Sequence, residues 1–447
     1  MLFEFLTYLR PVWFFNLKPQ KDYNYFPHQE DLKAVGFELS IDSAYQSVDA
    51  QERDLAWQAF QLGYIQPNEL KGISYWQRIK LPLTDEYRFI RKNFHSAWVY
   101  YVLMCRLLSF KQPLRELKGF LNTRRVQREV YHHTPFQYKA YDTFQSTLMA
   151  SNPLVSVIIP TLNRYVYLKD VLKDLEQQTY KNFEVIVVDQ TDDFQKDFYK
   201  GWNLDLTYWF QKEKALWKAR NEAIKASKGE YVLLYDDDSL VSPDWISEHL
   251  KALDFFQADI SSGVSISVVG SKVPAHYSYF RWSDQLDTGN VLLKKSIFRT
   301  IGLFDRQFEK QRMGDGEFGL RAYLYGYKNI SNPKAKRVHL KVAQGGLRQM
   351  GSWDGWRPKS LLAPRPIPSV LYLSRRYYGN RASRYFILKS VLPSLVPMKY
   401  KSQKALALIA FLLLPILLPL VLYQVLTSWR LASKKIQQGP IIEFLKL

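Results

Sequence analysis

VSVIIPTLNR (Val155–Arg164), EVIVVDQTDD (Glu184–Asp193) and EYVLLYDDD (Glu230–Asp238) decide the fold of this chain. Each carries a short run of β-branched and aliphatic residues of the kind that forms a strand buried on both faces. The runs predict strands at Val155–Ile159, Glu184–Val188 and Tyr231–Tyr235. After Pro160, Leu168, Val171, Leu172 and Leu175 recur at i, i+3, i+4 and i+7, the apolar stripe of a helix. A further helix is expected near Ser242-Pro243, with Ser as N-cap and Pro at the first helical position. Strands alternating with helices predict an α/β protein, its mostly parallel sheet covered on both faces.

Working outward, the strand ends are acidic. Asp189 closes the second strand, and Asp236, Asp237 and Asp238 close the third. In open α/β sheets ligands bind beyond the carboxyl ends of the strands. Three adjacent carboxylates repel one another, so at a partly buried end they need a cation or several hydrogen-bond donors. Oxygen ligands suit Mg²⁺ or Mn²⁺, which share their coordination with phosphate oxygens. A solvated acidic turn is the plainer alternative.

Together with ARNEAIKASKGEYVLLYDDD (Ala219–Asp238) and GDGEFGLRAYLYGY (Gly314–Tyr327), these segments resemble the ordered motifs of family 2 glycosyltransferases. The resemblance covers roughly residues 153–350, less than half the chain. It implies the Rossmann-like GT-A fold and transfer of a sugar from a nucleotide diphosphate sugar, most commonly a UDP-sugar, with inversion. Carried over, it places Pro160, Thr161, Asn163 and Arg164 in the nucleotide pocket, Asp189 on the base or ribose, and Arg220 beside the nucleotide. It makes Asp236–Asp238 a metal-binding DxD motif. There Asp238 is the most direct ligand of Mn²⁺ or Mg²⁺, Asp236 a further metal ligand, and Asp236 or Asp237 the acid nearer the ribose. His339 would complete the metal site.

Asp315 is the implied catalytic base. The family commonly has Glu before this Asp, and this chain has Gly314, so Glu317 is the fallback. Helix N-terminal capping is the plainer role for Asp315. Asn290 matches a position near the donor sugar or acceptor. Gly345-Gly346-Leu347-Arg348 resembles a loop closing on the diphosphate, with Arg348 and Lys341 as cations. Trp282, Trp353 and Trp356 offer faces for sugar rings, although core packing is the commoner use of a Trp.

Around this domain of residues 151–350 the chain reads as four further parts. Residues 1–150 form a partly helical accessory region. In it Phe94–Phe110 is helical but too short to cross a bilayer, and Leu114–Tyr131 is basic and amphipathic. Residues 351–404 form a basic connector and 427–447 a short basic tail. Between them, Ala405–Leu426 has no charged residue, and as a helix it spans about 33 Å, enough for a bilayer core. Pro415 and Pro419 leave a kinked span and a re-entrant hairpin both open. Basic flanks (Lys399, Lys401 and Lys404 before, Arg430, Lys434 and Lys435 after), with more Arg upstream, place the catalytic domain on the cytoplasmic face.

Lys and Arg exceed Asp and Glu by 62 to 42, a net charge of +20. That excess favours anionic partners, but no nucleic-acid-binding module accompanies it, so nucleic acid is set aside. A nucleotidyltransferase would want a Gly-rich phosphate loop after the first strand, and PTLNRYVYL has no glycine. One cysteine, Cys105, excludes a disulfide framework. MLFEFLTYLRPVWFF lacks the basic region and cleavage site of a signal peptide. The expected function is metal-dependent sugar transfer to a lipid-linked or polysaccharide acceptor at a membrane. The alternative is an inactive scaffold that keeps the fold to bind a partner enzyme.

Overall fold

In the computed structural model, residues 2–446 are described apart from 10–16, 22, 24, 35–38, 67–79, 111, 132–133, 268–274, 284–285, 343–345, 348–354, 359, 397–399 and 401–402. His132, His133, Gly345, Arg348, Trp353, Lys399 and Lys401 therefore lie outside the described residues. The chain divides into two compact units, residues 1–136 with 374–416, and residues 137–373 with 417–447.

The first unit is helical. Its main helices before residue 136 are α1 (Val48–Gln61), α2 (Leu83–Asn93), α3 (Ser96–Leu108) and α4 (Pro113–Asn122). Local chemistry sets their ends. Ser47 caps α1 by accepting from the Ala50 N–H at 3.2 Å, and α4 opens on Pro113. α2 carries Asp85 and Glu86 in its first turn and Arg91 and Lys92 in its last, as the helix dipole favours. Phe3 stacks on Phe89 with centroids 3.7 Å apart, and Trp57 meets the same ring edge-on. Buried charges are paired, Lys92 with Asp54 at 2.6 Å and Arg106 with Glu116. The amphipathic helix ends at Asn122, so Arg124, Arg125 and Arg128 fall beyond it, on exposed non-helical chain.

The second unit holds one nine-stranded sheet: β1 (Val155–Thr161), β2 (Phe183–Asp189), β3 (Leu206–Phe210), β4 (Tyr231–Tyr235), β5 (Ser239–Val241), β6 (Ile260–Ser267), β7 (Arg281–Trp282), β8 (Asn290–Lys294) and β9 (Asn329–His339). The order is β3-β2-β1-β4-β8-β6-β9-β5, with β7 on β9. β3, β2, β1 and β4 are mutually parallel; β1, β2 and β4 are the strands that the sequence pattern predicts, and β3 is one that it did not mark. Beyond β4 the sheet is mixed, because β8 runs antiparallel to both β4 and β6, and β5 and β7 antiparallel to β9.

The helices of this unit are α5 (Tyr165–Glu176), α6 (Leu216–Ala226), α7 (Trp245–Phe255), α8 (Ser296–Ile301) and α9 (Gly314–Leu324). The predicted stripe Leu168, Val171, Leu172, Leu175 is the buried face of α5. α7 opens at Trp245 with Asp244 at the N-cap position, later than Ser242-Pro243, and Ser242 instead donates to the Asp244 carboxylate. Tyr138 and Tyr141 pack on Phe255 and Phe256, which draws residues from 137 onward into this unit.

Two long helices follow, α10 (Pro368–Leu395) and α11 (Lys404–Gln438). α10 is interrupted at Gly379, whose φ of 79° suits a residue without Cβ. α11 continues through Pro415 and Pro419. Its stretch Pro415–Gln438 is long and apolar enough to cross a membrane, and only 22% of its apolar window is buried. After α11 the chain is stitched to the second unit. Leu303 N–H donates to Glu443 O at 2.7 Å, and Ile441 N–H donates to Asp305 Oδ1 at 2.9 Å.

Candidate active site

β4 ends at Tyr235, opposite Asn290 where β8 begins, and the three carboxylates that follow it are all paired with basic side chains. Asp236 is held between two arginines: Arg220 Nη2 lies 2.9 Å from Oδ1 and Arg337 Nη1 2.8 Å from Oδ2. Asp237 accepts from Arg164 at 2.8 Å and from the Thr161 hydroxyl at 2.8 Å. Asp238 meets His339 Nε2 at 3.3 Å and the same Arg164 guanidinium at 3.0 Å. Burial pushes the Asp237 carboxyl up to about 6, and the charge on Asp238 adds to the rise against the pull of Arg164. Burial works the same way on Asp238, but the His339 hydrogen bond overcomes it and its pKa falls below the usual carboxylate range.

The strand pattern explains why these groups meet. Arg337 and His339 are two apart on β9, so both side chains point to one face. β5 pairs Ser239 with His339 and Val241 with Arg337, which brings that face to the acidic turn. Arg337 is buried, and it also reaches Asp287 at 2.8 Å and Ser239 at 2.9 Å. Gly289 keeps the bridge open. A Cβ there would lie 2.2 Å from both Arg337 Nη1 and Asp236 Oδ2.

Asp236, Asp238 and His339 each offer one ligand atom, and these atoms lie within 4.8 Å of one another. Two carboxylate oxygens and one imidazole nitrogen fit Mn²⁺ better than Mg²⁺, which favours oxygen alone. Arg164 sits where it can counter the same charge. Its other amino group donates to Val342 O at 3.2 Å, and a Cβ on Gly346 would fall 2.6 Å from its Cζ. Val342 and Gly346, after β9, therefore both adjoin the guanidinium.

The remaining expected nucleotide residues are placed as follows. Pro160 is buried within β1, and exposed Asn163 has φ 56° with its N–H on the Thr191 hydroxyl. Asp189 is fully buried, accepting from the Tyr165 and Tyr199 hydroxyls and the Thr191 N–H. Arg220 is fully buried too, and it gives Nη1 to the Thr288 hydroxyl and Nη2 to Asp236 and Thr288 O. Its geometry is that of a group that orients Asp236.

Asp315 lies half-buried in the first turn of α9, its Oδ1 accepting from the Gly316 N–H at 2.8 Å. The residue before it is Gly for a steric reason. A Cβ on Gly314 would meet Trp217 Cζ2 at 2.3 Å. Trp217 in turn lies under Arg220, 5.4 Å from ring centroid to Cζ, so the start of α9 connects through one indole to the support of Asp236. Glu317 is fully buried and clamped by Arg321 at 3.0 Å through both oxygens. That pairing makes it a structural ion pair and removes it as a fallback base.

Asn290 and Trp282 turn inward. Asn290 accepts from Trp245 Nε1 at 2.8 Å, bonds His249 at 3.0 Å and donates to Val264 O and Ala335 O. Trp282 is buried at 2% exposure, and Trp356 is half-buried. Neither Asn290 nor Trp282 is open to a sugar. Arg337, Asp287, Thr288 and Trp217 are the site residues that the motifs did not mark. The period-2 relation of Arg337 to His339 was the available signal for the first of them.

Residues 156–318 match the Glycosyl transferase family 2 model, and this stretch, from within β1 to within α9, is a family 2 glycosyltransferase domain. The uncharacterized glycosyltransferase RT0329 of Rickettsia typhi is 28% identical over 178 residues, 35% of this chain and 55% of that protein. The O-antigen biosynthesis protein RfbC of Myxococcus xanthus is 22% identical over 284 residues, 55% of this chain and 21% of that protein. The chain thus spans about half or less of the length of these curated relatives. Among solved structures, S. aureus TarS 1-349 in complex with UDP-GlcNAc aligns with TM-score 0.43 and 19% identity, over 64% of this chain and 92% of that chain.

Proposed function

We propose that this chain transfers a sugar from a nucleotide diphosphate donor to an acceptor hydroxyl, with inversion, in the synthesis of a cell-surface polysaccharide or glycolipid. The observation that carries the reading is the convergence of Asp236, Asp238 and His339 within 4.8 Å at the strand ends of a family 2 glycosyltransferase domain. Asp236, Asp238 and His339 would hold Mn²⁺ or Mg²⁺, with Asp236 fixed by its two arginines. When bound, the metal supplies positive charge against the departing diphosphate. Thr161 and Arg164 keep the acidic turn in place at the end of β1. Asp315, on the first turn of α9, takes the proton of the attacking hydroxyl, and a single displacement from that side inverts the anomeric carbon. Likeness to an O-antigen biosynthesis protein supports a surface glycan as acceptor, and the apolar helix α11 supports a lipid-linked one.

The test is turnover of a panel of nucleotide sugars by detergent-purified protein, with and without Mn²⁺ or Mg²⁺, alongside two variants. Asp238→Ala is expected to lose metal-dependent donor binding. Asp315→Asn is expected to bind donor normally and lose about 10³-fold in transfer. Full transfer by Asp315→Asn would remove Asp315 as the base. No metal-dependent nucleotide binding in the wild type would favour the scaffold.

A further inference from the structure

α4 buries a carboxylate and exposes its leucines. Glu116 points into the first unit, where it is fully buried and accepts from Arg106 of α3. The apolar face of α4 looks out, with Leu114 83% and Leu121 54% exposed and Leu117 between them. α3 does the same with Tyr100, Met104 and Leu108, spaced four apart and all exposed. The Tyr100 ring packs on Phe120 of α4 at 5.3 Å, so the two outward faces adjoin. Phe110, in the turn between the helices, is 89% exposed. A contiguous apolar surface of this kind on a folded unit marks a place of contact.

The charges around it identify the contact. Arg115 and Lys118 stand exposed on α4, and Arg124, Arg125 and Arg128 follow on exposed chain. The inner side of α4 borders a cleft of 840 Å³ that Lys80, Arg115 and Lys118 line together with Arg106. Gln112 and Asn122 add amide groups to its wall. Glu4 and Glu116 also line the cleft, both paired with Arg106, and Glu129 is exposed beside Arg128. Cations still outnumber carboxylates around this face, and an anionic leaflet offers acyl chains to the leucines and phosphates to the cations.

We propose that the α3–α4 face lies in the interface of an anionic membrane, and that the cleft beside it takes the phosphate of an anionic lipid headgroup through Lys80, Arg115 and Lys118. This assignment concerns the first unit alone and does not depend on the transfer reaction. It also needs no bilayer-crossing segment, since the two helices would rest at headgroup depth with their apolar sides down.

The experiment uses the full chain, reconstituted into vesicles of phosphatidylcholine alone or mixed with phosphatidylglycerol. An environment-sensitive fluorophore is placed at Leu117→Cys, with Cys105→Ala in the background, and quenched by lipids brominated on their acyl chains. A second label at Val48→Cys, exposed in the same unit, serves as the control. Strong quenching at 117 in the anionic vesicles, weak quenching in the neutral ones and none at 48 is the expected result. Arg115→Gln with Lys118→Gln should weaken the association of this face by about 30-fold and bring quenching in anionic vesicles down to the neutral level. Leu114→Ser with Leu121→Ser should lower it with the helical circular dichroism intact. The proposal is overturned if the label at 117 stays unquenched, if quenching is equal in the two vesicle types, or if the Arg115/Lys118 variant quenches like the parent.

Discussion

Trp217 and Gly314 are a pair in which one residue dictates the other. With a Cβ at 314 only 2.3 Å from the indole, even alanine has to move the ring or the first turn of α9. Gly314→Ala is therefore expected to cost about 1–3 kcal/mol, and Glu at this position more. Trp217→Ala removes a large buried ring and costs about 3–5 kcal/mol by itself. Combined, the two should cost less than their sum, because the small side chain enters the space that the ring leaves. A urea-unfolding double-mutant cycle reads this directly, and strict additivity would show that the indole does not dictate the glycine. The same contact explains the departure from the family's Glu-Asp pair. Asp315 keeps its place at the helix start while its neighbour yields to Trp217, and Arg220 lies on the other side of that ring. Sequence alone marks Gly314 as a departure, but it cannot supply the reason, which lies 97 positions earlier in the chain.

At the scale of elements, what was legible depended on how each strand is buried. β1, β2 and β4 sit inside the sheet and carry runs of Val, Ile, Leu and Tyr, so those hydrophobic runs declare them. β6 reads ISSGVSIS and β9 reads NISNPKAKRVH, and neither looks like a core strand. Their buried polar groups are satisfied by one another, as in Ser262 with Asn329 at 2.9 Å and Arg337 with Ser265 at 2.7 Å. Such pairing is invisible until the strands are adjacent. His249 of α7 belongs to the same network, held by the Ser261 hydroxyl at 2.9 Å and Asn290 at 3.0 Å. Burial pushes its pKa down from 6.5 to about 4, so the folded protein keeps it neutral where the unfolded chain is already protonated. The unfolded state then binds more protons between these values, and stability falls as pH drops through the window from 6.5 towards 4. The full contribution is about 3 kcal/mol. His249→Gln should be less stable than the parent at pH 7, with the gap closing as pH falls to the lower end of the window. Unfolding midpoints that stay parallel across the window would remove His249 as the cause.

For the whole molecule, the two compact units are each assembled from separate stretches of chain, and this bears on how the membrane association is tested. Read as sequence, the end of the chain is an apolar segment with a short basic tail, which invites a truncation that removes both. The structure separates their roles. On α11, Ile416, Leu422 and Leu426 are exposed, an apolar surface available to lipid. Past α11, Arg306 N–H donates to Ile441 O at 3.0 Å, Lys225 pairs with Glu443, and Ile442 lies against Gly302. Residues 439–446 thus act as a strap on the loop after α8. Ending the chain at Gln438 is expected to destabilise the second unit by about 2–3 kcal/mol, a fall in Tm on the order of 5–10 °C, with sugar transfer declining because the fold loosens. Replacing Ile416, Leu422 and Leu426 by Ser should lower that Tm by less than the truncation does, since exposed positions seldom shift stability by more than about 0.5 kcal/mol each, while lowering the detergent needed to extract the protein. Thermal unfolding and membrane fractionation of both variants distinguish the cases. An unchanged Tm after truncation would show that the strap adds nothing. Unchanged extraction of the serine variant would place the membrane contact elsewhere, and the outward face of α3 and α4 would then be the surface left to account for it.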